Sequence, residues 1–289
     1  MAESLIAATL GAELHETFNN PDYRPPPLPG VALELMSLSN RDDATIDRIV
    51  RLLEQDEMLA GGVMRLIGSP IYAARTRIRS LKEAVVRLGV RTVRDLVFET
   101  ALNQGVFQLA EYSETIEQIR RHSTVTAYIA RIVCKHAKID EEHAFLCGLL
   151  HDLGFAGLLF AVSNVEAESS PPLLQLWAEI DTLHEQASRI ITELWNLPIE
   201  IQELVGHHHH LHTGETSKIA AAIHLADRLS ERFGASVVGP VDDQGVLLAG
   251  DAVDDFDLEV SRAELGLSEQ AVQRIVDEAE VIVPDILWL

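Results

Sequence analysis

The segment Phe145–Gly154, which reads FLCGLLHDLG, decides the fold. An apolar run is followed directly by His151 and Asp152, so the pattern predicts a buried helix that ends at this pair. An imidazole nitrogen and a carboxylate oxygen side by side can both bind one divalent cation. A His-Asp pair alone is more often two structural residues that satisfy each other, so the rest of the sequence must decide between the two interpretations.

Other titratable residues occupy the apolar sides of further predicted helices. His122 lies in IRRHSTVTAYIARIV, His184 in TLHEQASRIITELW and Asp227 in IHLADRLS, and the predicted helix IEIQELVGHH ends in two histidines. Such groups cost free energy on an apolar face unless they are paired or bind a metal ion, and one shared cation would compensate all of them. The candidate metal ligands are therefore His122, His151, Asp152, His184, His207, His208 and Asp227.

Each candidate also has a simpler interpretation. A lone histidine is more often a core or surface residue with an ordinary partner than a metal ligand. The run His207–His210 is compatible with a solvated helix end, where the helix dipole favours imidazole. Asp227 could pair with Arg228 or Arg232, although adjacent residues on a helix do not face each other. The remaining histidines are assigned to this structural class: His15, His136, His143, His212 and His224.

Apolar residues recur at helical spacing along most of the chain, which predicts an all-α fold. Two of these stripes are separated by Gly89, and a final helix is predicted over Ser268–Ile282 with Ser268 as its N-cap. The stretch Ala235–Leu248 fits either a small hairpin or an irregular loop. We expect an N-terminal helix and proline-rich connector at 1–29, a helical subdomain at 30–110, a helical core with the His/Asp cluster at 111–233, and a loop and last helix on the body at 234–289.

The chain of 289 residues has a formal net charge of −22. Such a surface repels nucleic acid and anionic membranes unless basic residues are segregated. The densest basic run, from Arg75 to Arg94, is more typical of a solvated helix face than of a nucleic-acid site. Without a signal peptide or an apolar run of roughly 18 to 20 residues, a cytoplasmic protein is expected. Cys134 and Cys147 are interpreted as small apolar residues.

The order His122, His151-Asp152, Asp227 resembles the H…HD…D metal-binding signature of the HD phosphohydrolase superfamily. A closer similarity, over roughly residues 25–233, is to the HDOD family, the HD-related output domains. The segments that resemble its motifs are LPGVALELMSL, LLEQDEMLAGGVMRLIGSPIY, IRSLKEAVVRLGVRTVRDLV and FLCGLLHDLG. This resemblance implies an HD-like helical core with an N-terminal helical subdomain beside it.

Two functions are implied by the resemblance. One is a bacterial signal-transduction module that docks partner proteins and keeps a metal site. The alternative is a metal-dependent phosphohydrolase that acts on a nucleotide or phosphodiester through a metal-activated hydroxide. One or two ions are expected, Fe or Mn with Zn or Mg as alternatives, and a nucleotide ligand and a homodimer are further expectations. One ion would be held by His122, His151, Asp152 and Asp227, and a second by His184, His207 and His208, with Asp152 as the bridge.

Departures from the pattern argue against cyclic di-GMP hydrolysis, the activity of the HD-GYP branch. Phe155 stands where active members commonly carry lysine after HDxG, and no GYP motif follows the double histidine. In addition, Gly68-Ser69 replaces the usual Asn-Ser of HDOD domains. Without that lysine the donor of a proton to a leaving group is His209 or a metal-bound water.

Overall fold

The computed structural model describes residues 15–18, 20, 22–39, 41, 44–72, 78–163, 173–209, 218–235, 237 and 255–287. In these ranges all regular structure is helical, which confirms the predicted all-α class. The α-helices are α1 (Gly30–Ser39), α2 (Ile46–Leu53), α3 (Glu57–Ile67), α4 (Leu81–Gln104), α5 (Ser113–Ala137), α6 (Ala144–Leu150), α7 (Leu153–Ser163), α8 (Leu173–Leu194), α9 (Ile199–Val205), α10 (Lys218–Glu231), α11 (Asp255–Glu264) and α12 (Glu269–Ile286), with a 3-10 helix at Pro70–Tyr72.

Helices α1, α2 and α3 pack against α4. Helices α2, α3 and α4 begin at Thr45, Asp56 and Ser80, whose side chains each accept a hydrogen bond from a backbone N–H three residues later. Gly89 adopts φ +82° and ψ 162° inside α4, a conformation that favours glycine. The two helices predicted on either side of Gly89 are therefore the two arms of one kinked helix.

Helix α5 is the centre of the remaining helices, and it contacts α6, α7, α10 and α12. Helix α8 packs against α7 and α9. The proline-rich connector is extended, as predicted, and the indole N–H of Trp195 donates to the carbonyl oxygen of Pro26 across 3.2 Å. Helices α5, α6, α8, α9 and α10 meet in one region of the core.

The C-terminal part of the chain differs from its prediction in two helices. The last helix begins after Ser268, whose side chain caps Ala271 N–H as predicted, and it continues to Ile286 rather than ending at Ile282. Helix α11 was not predicted, because its start lies in a Gly- and Asp-rich stretch that resembles a loop. Its buried Ser261 lies 2.8 Å from Nδ1 of His224 on α10. The hairpin considered at Ala235–Leu248 lies almost wholly outside the described residues.

The apolar run around the His-Asp pair belongs to the interior. Segment Ala144–Ser163 is long and apolar enough to cross a membrane by length and composition alone, but 94% of its most apolar window is buried inside the protein. Burial of this extent is typical of a core helix pair. The segment Ala144–Ser163 therefore lies in the core and holds the His-Asp pair there.

Four members of the basic run lie beside carboxylates. Lys82 pairs with Asp47, Arg87 with Glu83, and Arg94 with Asp95; Arg91 lies near two further carboxylates. Arg75 and Arg77 lie outside the described residues. The exposed pair of Lys82 agrees with a solvated helix face, but Arg94 is only 1% exposed and its pair with Asp95 is buried in the core.

A second buried polar cluster lies between α4 and α5. The Tyr128 hydroxyl donates to Oε2 of Glu99 across 3.2 Å, while Oε1 of Glu99 has no hydrogen-bond partner within the described part of the chain. Burial raises the pKa of Glu99 to about 7, although Tyr128, Arg120 and Arg131 act in the opposite direction. A carboxyl in such a place prefers to stay protonated.

Candidate metal centre

The histidines and aspartates predicted from the sequence are carried to one place by separate elements. His122 projects from α5, Asp227 from α10 and His184 from α8, while the His151-Asp152 pair forms the turn between α6 and α7. His208 lies in the turn that follows α9. All six of these residues are at most 6% exposed, so they are shielded from water and depend on one another for compensation.

A first group of donor atoms surrounds Nε2 of His122, and we call it group 1. That nitrogen lies 3.0 Å from Nε2 of His151, 3.2 Å from Oδ2 of Asp152 and 3.1 Å from Oδ1 of Asp227. Nε2 of His151 also lies 3.4 Å from Oδ2 of Asp152 and 3.7 Å from Oδ1 of Asp227. Two imidazoles and two carboxylates therefore converge from three parts of the chain.

A second group, group 2, surrounds the other oxygen of Asp152. Oδ1 lies 3.3 Å from Nε2 of His208 and 3.8 Å from Nε2 of His184. Nε2 of His184 in turn lies 3.4 Å from Nε2 of His208 and 3.0 Å from Nε2 of His209. The four ligand atoms of this group all lie within 4.8 Å of one another. Asp152 thus presents one oxygen to each group, which is the arrangement of a bridging carboxylate.

Hydrogen bonds at Nδ1 orient the four buried imidazoles. Backbone carbonyl oxygens of Ala235, Gly148 and Val205 accept from Nδ1 of His122, His151 and His208 at 2.7, 2.8 and 2.8 Å. The carbonyl of Asp181 accepts from Nδ1 of His184 in the same way. A carbonyl oxygen can only accept, so each Nδ1 carries a proton and each Nε2 is left to bind a cation.

The charges in group 1 favour a positive ion between the ligands. Burial acts to lower the pKa of His122, but Asp152 and Asp227 outweigh burial and hold that pKa well above its usual value. Burial likewise acts to raise the pKa values of Asp152 and Asp227, and the imidazoles reverse this effect and hold both well below normal. Because both carboxylates are ionised, a proton or a metal ion among them is strongly favoured.

In group 2 the imidazoles differ in their preference for a proton. Burial lowers the pKa of His184. The pKa of His209 is also lowered, by the packing of protein around its imidazole and then by the nearby His208, although the residue as a whole is exposed. The pKa of His208 is raised, because its contact with Asp152 outweighs burial. The Nε2 atoms of His184 and His209 lie 3.0 Å apart, so either the Nε2–H tautomer of His209 donates to Nε2 of His184 or both lone pairs can face one cation. Three imidazoles and one carboxylate oxygen fit a borderline divalent ion such as Zn, Fe or Mn.

The turn that carries His151 and Asp152 is fixed to α8 by Ser188. Its hydroxyl donates to the carbonyl oxygen of His151 across 2.7 Å and accepts from the N–H of Gly154 across 2.8 Å. A β-carbon at Gly154 would overlap the backbone of His184, so glycine is what allows α7 to approach α8 this closely. The HDxG segment and His184 are therefore placed by direct backbone contact.

Two of the sequence-based assignments need correction in detail. His207, a predicted ligand, is exposed, and its Nδ1 faces the carbonyl oxygen of Glu203 at 3.2 Å, away from both groups. His209, the predicted proton donor, instead lies beside His184 in group 2. Helix α9 ends at Val205, so the residues that follow do not keep the helical spacing on which the prediction for His207 rested.

The histidines assigned to structural roles lie outside both groups wherever they are described. His136 contacts Glu278 of α12 at 3.1 Å, and His224 contacts Ser261 of α11 at 2.8 Å. His143 lies at the start of α6, and His15 also lies apart from the two groups. His212 falls outside the described residues.

Sequence reasoning missed the residues that support the ligands. Glu185 accepts a hydrogen bond from the backbone N–H of His209 across 2.9 Å and so fixes the turn after α9. Ser188 was missed as well. Both lie on α8 within four residues of His184, and that proximity was the signal available in the sequence. The carbonyl of Ala235 carried no signal, since any residue supplies one.

Comparison with known proteins places this geometry in a family. The HDOD domain model matches residues 26–211. An uncharacterized protein of Treponema pallidum (strain Nichols) is 26% identical over 197 residues, which make up 64% of this chain and 38% of that protein. The chain thus spans well under half the length of this curated relative.

Solved structures share the fold at low sequence identity. An HDOD domain protein of unknown function from Geobacter sulfurreducens is 22% identical with a TM-score of 0.69, covering 98% of this chain and 96% of its own. A Shewanella amazonensis protein provisionally named a metal-dependent phosphohydrolase is 16% identical with a TM-score of 0.74. The match covers 99% of this chain and 100% of that protein. A Marinobacter aquaeolei protein provisionally named a signal transduction protein is 23% identical with a TM-score of 0.63, covering 97% and 65%. With the family model matched over most of its helical body, this chain belongs to the HDOD domain family.

Proposed function

We propose that this protein is a cytoplasmic signal-transduction module of the HDOD family whose core holds a pair of divalent metal ions. The observation that carries the proposal is the position of Asp152, whose two carboxylate oxygens face two different sets of imidazole Nε2 atoms. Such a carboxylate can bind one ion with each oxygen. Group 1 would hold one ion and group 2 the other.

The ligands indicate the class of metal. Imidazole nitrogens mixed with carboxylate oxygens suit Fe, Mn and Zn better than Ca or Mg, which prefer oxygen ligands alone. Group 2 has three imidazoles and group 1 has two, so group 2 is the softer of the two sites. We expect Fe or Mn, with Zn as the competitor.

A regulatory role is favoured over catalysis by the residues around the ions. Phe155 is buried where a proton-donating lysine would stand, and His209 lies among the ligands of group 2. Bound ions would lower the pKa of a coordinated water and so supply a hydroxide, but the nearby carboxylate of Glu185 already accepts a hydrogen bond from the backbone N–H of His209 and so supports that turn. The ions would then stabilise the fold that docks signalling partners.

The alternative function is a metal-dependent phosphohydrolase. It is favoured by one observation, the complete ligand set around Asp152, and the similar Shewanella amazonensis structure is provisionally named as such an enzyme. In that case His209, the one exposed side chain in group 2, would mark the side from which a phosphoester approaches.

The metal content of the purified full-length protein tests the proposal. Elemental analysis after reconstitution with Mn or Fe is expected to give about two equivalents for the wild type, and less than half an equivalent for Asp152→Asn. His207→Gln is the matched control, because His207 is exposed and outside both groups. A wild type that retains no divalent metal would refute the proposal.

Turnover separates the two functions. The loaded wild type is incubated with a generic phosphodiester such as bis-p-nitrophenyl phosphate. No hydrolysis above that of the Asp152→Asn variant supports the regulatory module. Hydrolysis that requires metal and disappears in the Asp152→Asn variant establishes the phosphohydrolase instead.

A further inference from the structure

Phe155 forms the middle of a stack of three aromatic rings. Its ring lies parallel to that of His184, with centroids 4.3 Å apart and an interplanar angle of 13°. On the other side it lies parallel to Trp177, at 5.2 Å and 12°. All three side chains are buried. The stack therefore covers one whole face of a group 2 imidazole with an apolar surface.

The hydrogen bond at Nδ1 cannot fix the His184 ring alone. The carbonyl of Asp181 holds Nδ1, but a single hydrogen bond still lets the ring tilt about its Cβ–Cγ bond. A parallel aromatic ring with its centroid 4.3 Å away opposes this tilt, because rotation out of the plane would push His184 into Phe155. Phe155 in turn cannot retreat, since Trp177 lies directly behind it.

The imidazoles of group 1 are supported in another way. Nδ1 of His122 lies between the Ala235 carbonyl at 2.7 Å and the Ser230 hydroxyl at 3.0 Å. His151 is held by the carbonyl of Gly148 within its own turn. A change at Phe155 therefore acts on group 2 and leaves the supports of group 1 in place.

We infer that Phe155 is a positioning residue for group 2, which locks the His184 imidazole with Nε2 directed at Asp152 and so determines whether a second divalent ion is retained. The inference rests on the proposed function for the ion. The orientation of the ring belongs to the protein alone and can be measured without metal. The residue that replaces a catalytic lysine is thus assigned a structural task at the same centre.

The variant Phe155→Leu tests this role by removing the ring while keeping an apolar side chain. Binding of Mn is titrated into metal-free protein. We expect one equivalent to bind with affinity within about twofold of the wild type, and the other to be weakened by about 10- to 100-fold, the usual effect of losing a residue that supports a ligand. Phe98→Leu is the matched control, because Phe98 is a fully buried phenylalanine on α4.

Imidazole ¹⁵N chemical shifts of the metal-free protein give the second readout. The wild type is expected to show His184 as a single Nδ1–H tautomer, and the Phe155→Leu variant is expected to move toward the average of the two tautomers. Phe155→Tyr keeps the stacked ring and should restore both the shift and the second equivalent. Trp177→Leu removes only the support behind Phe155 and should weaken binding of the second equivalent to an intermediate extent. This variant replaces Phe155→Leu if Phe155→Leu does not fold.

The outcomes are distinguishable. If the wild type binds no metal, the proposed function fails, while the ¹⁵N shifts still decide the role of Phe155. If Phe155→Leu retains both equivalents at wild-type affinity and the His184 shifts do not move, the positioning role is overturned. Equal weakening of both equivalents would also overturn it, because the effect would then not be confined to group 2.

Discussion

Gly154 packs directly against the backbone carbonyl of His184, with no room for a β-carbon between them. The contact joins the start of α7 to the middle of α8 and brings a ligand of group 2 next to the turn that carries the ligands of group 1. Its closeness depends on the absence of a side chain at one position.

Replacing Gly154 with alanine should destabilise the protein by about 3 kcal/mol or more, because the added methyl group meets backbone that cannot rotate away. Displacing His184 should also lower the affinity of group 2 for metal. Urea unfolding at equal m-values measures the first effect, and metal titration measures the second. A β-carbon added at Gly61 would meet nothing within 4 Å, so Gly61→Ala should be neutral or stabilising by about 0.5–1 kcal/mol.

The two groups should respond separately to variants that touch only one of them. Asp227→Asn removes a carboxylate from group 1, and His208→Gln removes an imidazole from group 2. Each variant is expected to lose about one equivalent of metal and keep the other, as measured by elemental analysis after dialysis. If either variant loses both equivalents of metal, the prediction that each ion has its own ligands, with only Asp152 in common, is wrong.

Ser188→Ala should cost about 1–3 kcal/mol. Its hydroxyl serves the buried carbonyl of His151 and the buried N–H of Gly154, and neither finds another partner when the oxygen is removed. The comparison variant is Thr182→Ala on the same helix, whose exposed hydroxyl donates only to the carbonyl of Ala178. A change below about 0.5 kcal/mol at Thr182 and a several-fold larger one at Ser188 is the expected pattern in chemical denaturation.

Glu99→Gln should stabilise the protein more at pH 8 than at pH 5. The pKa of Glu99 is raised from 4.5 to about 7 in the folded state. Below pH 4.5 Glu99 is protonated in both the folded and the unfolded state, so it does not lower the free energy of unfolding. Between the two values the unfolded state ionises first, so stability falls, and above pH 7 the cost levels off at about 3 kcal/mol. The neutral amide removes this cost.

Unfolding of both proteins across that pH range tests the assignment. The gain from Glu99→Gln is expected to grow between pH 5 and pH 8 and then to level off. Glu111→Gln, at an exposed position, should show a small difference that does not change with pH. A gain at Glu99 that is equal at every pH would contradict a buried protonated carboxyl.

Much of the centre was accessible from the sequence, because titratable residues stood on apolar helix faces where a shared partner best explains them. His122, His151, Asp152, His184, His208 and Asp227 are brought together, as a shared partner requires. Whether they bind metal stays a prediction. The helical period placed His122, His184 and Asp227, whereas His151, Asp152 and His208 lie in turns that directly follow helices.

Sequence-based assignment was inaccurate where the period stops. The turn after Val205 directs His207 away from both groups and brings the exposed His209 beside His184, and no spacing rule describes a turn of this kind. Close contacts between distant segments were equally inaccessible. The approach of Gly154 to His184 and the stack on Phe155 depend on how α7 meets α8, which is a property of tertiary packing.

The shared carboxylate of Asp152 has a consequence for how the protein would respond to its surroundings. An ion drawn to one oxygen withdraws charge from the other, so the first occupant changes the affinity of the second, and reciprocity requires the same factor in the opposite order. Loading would then depend on free metal concentration more or less steeply than for two isolated sites. Because bound ions stabilise the folded state, the free energy of unfolding would then rise and fall with the concentration of free metal in the cell.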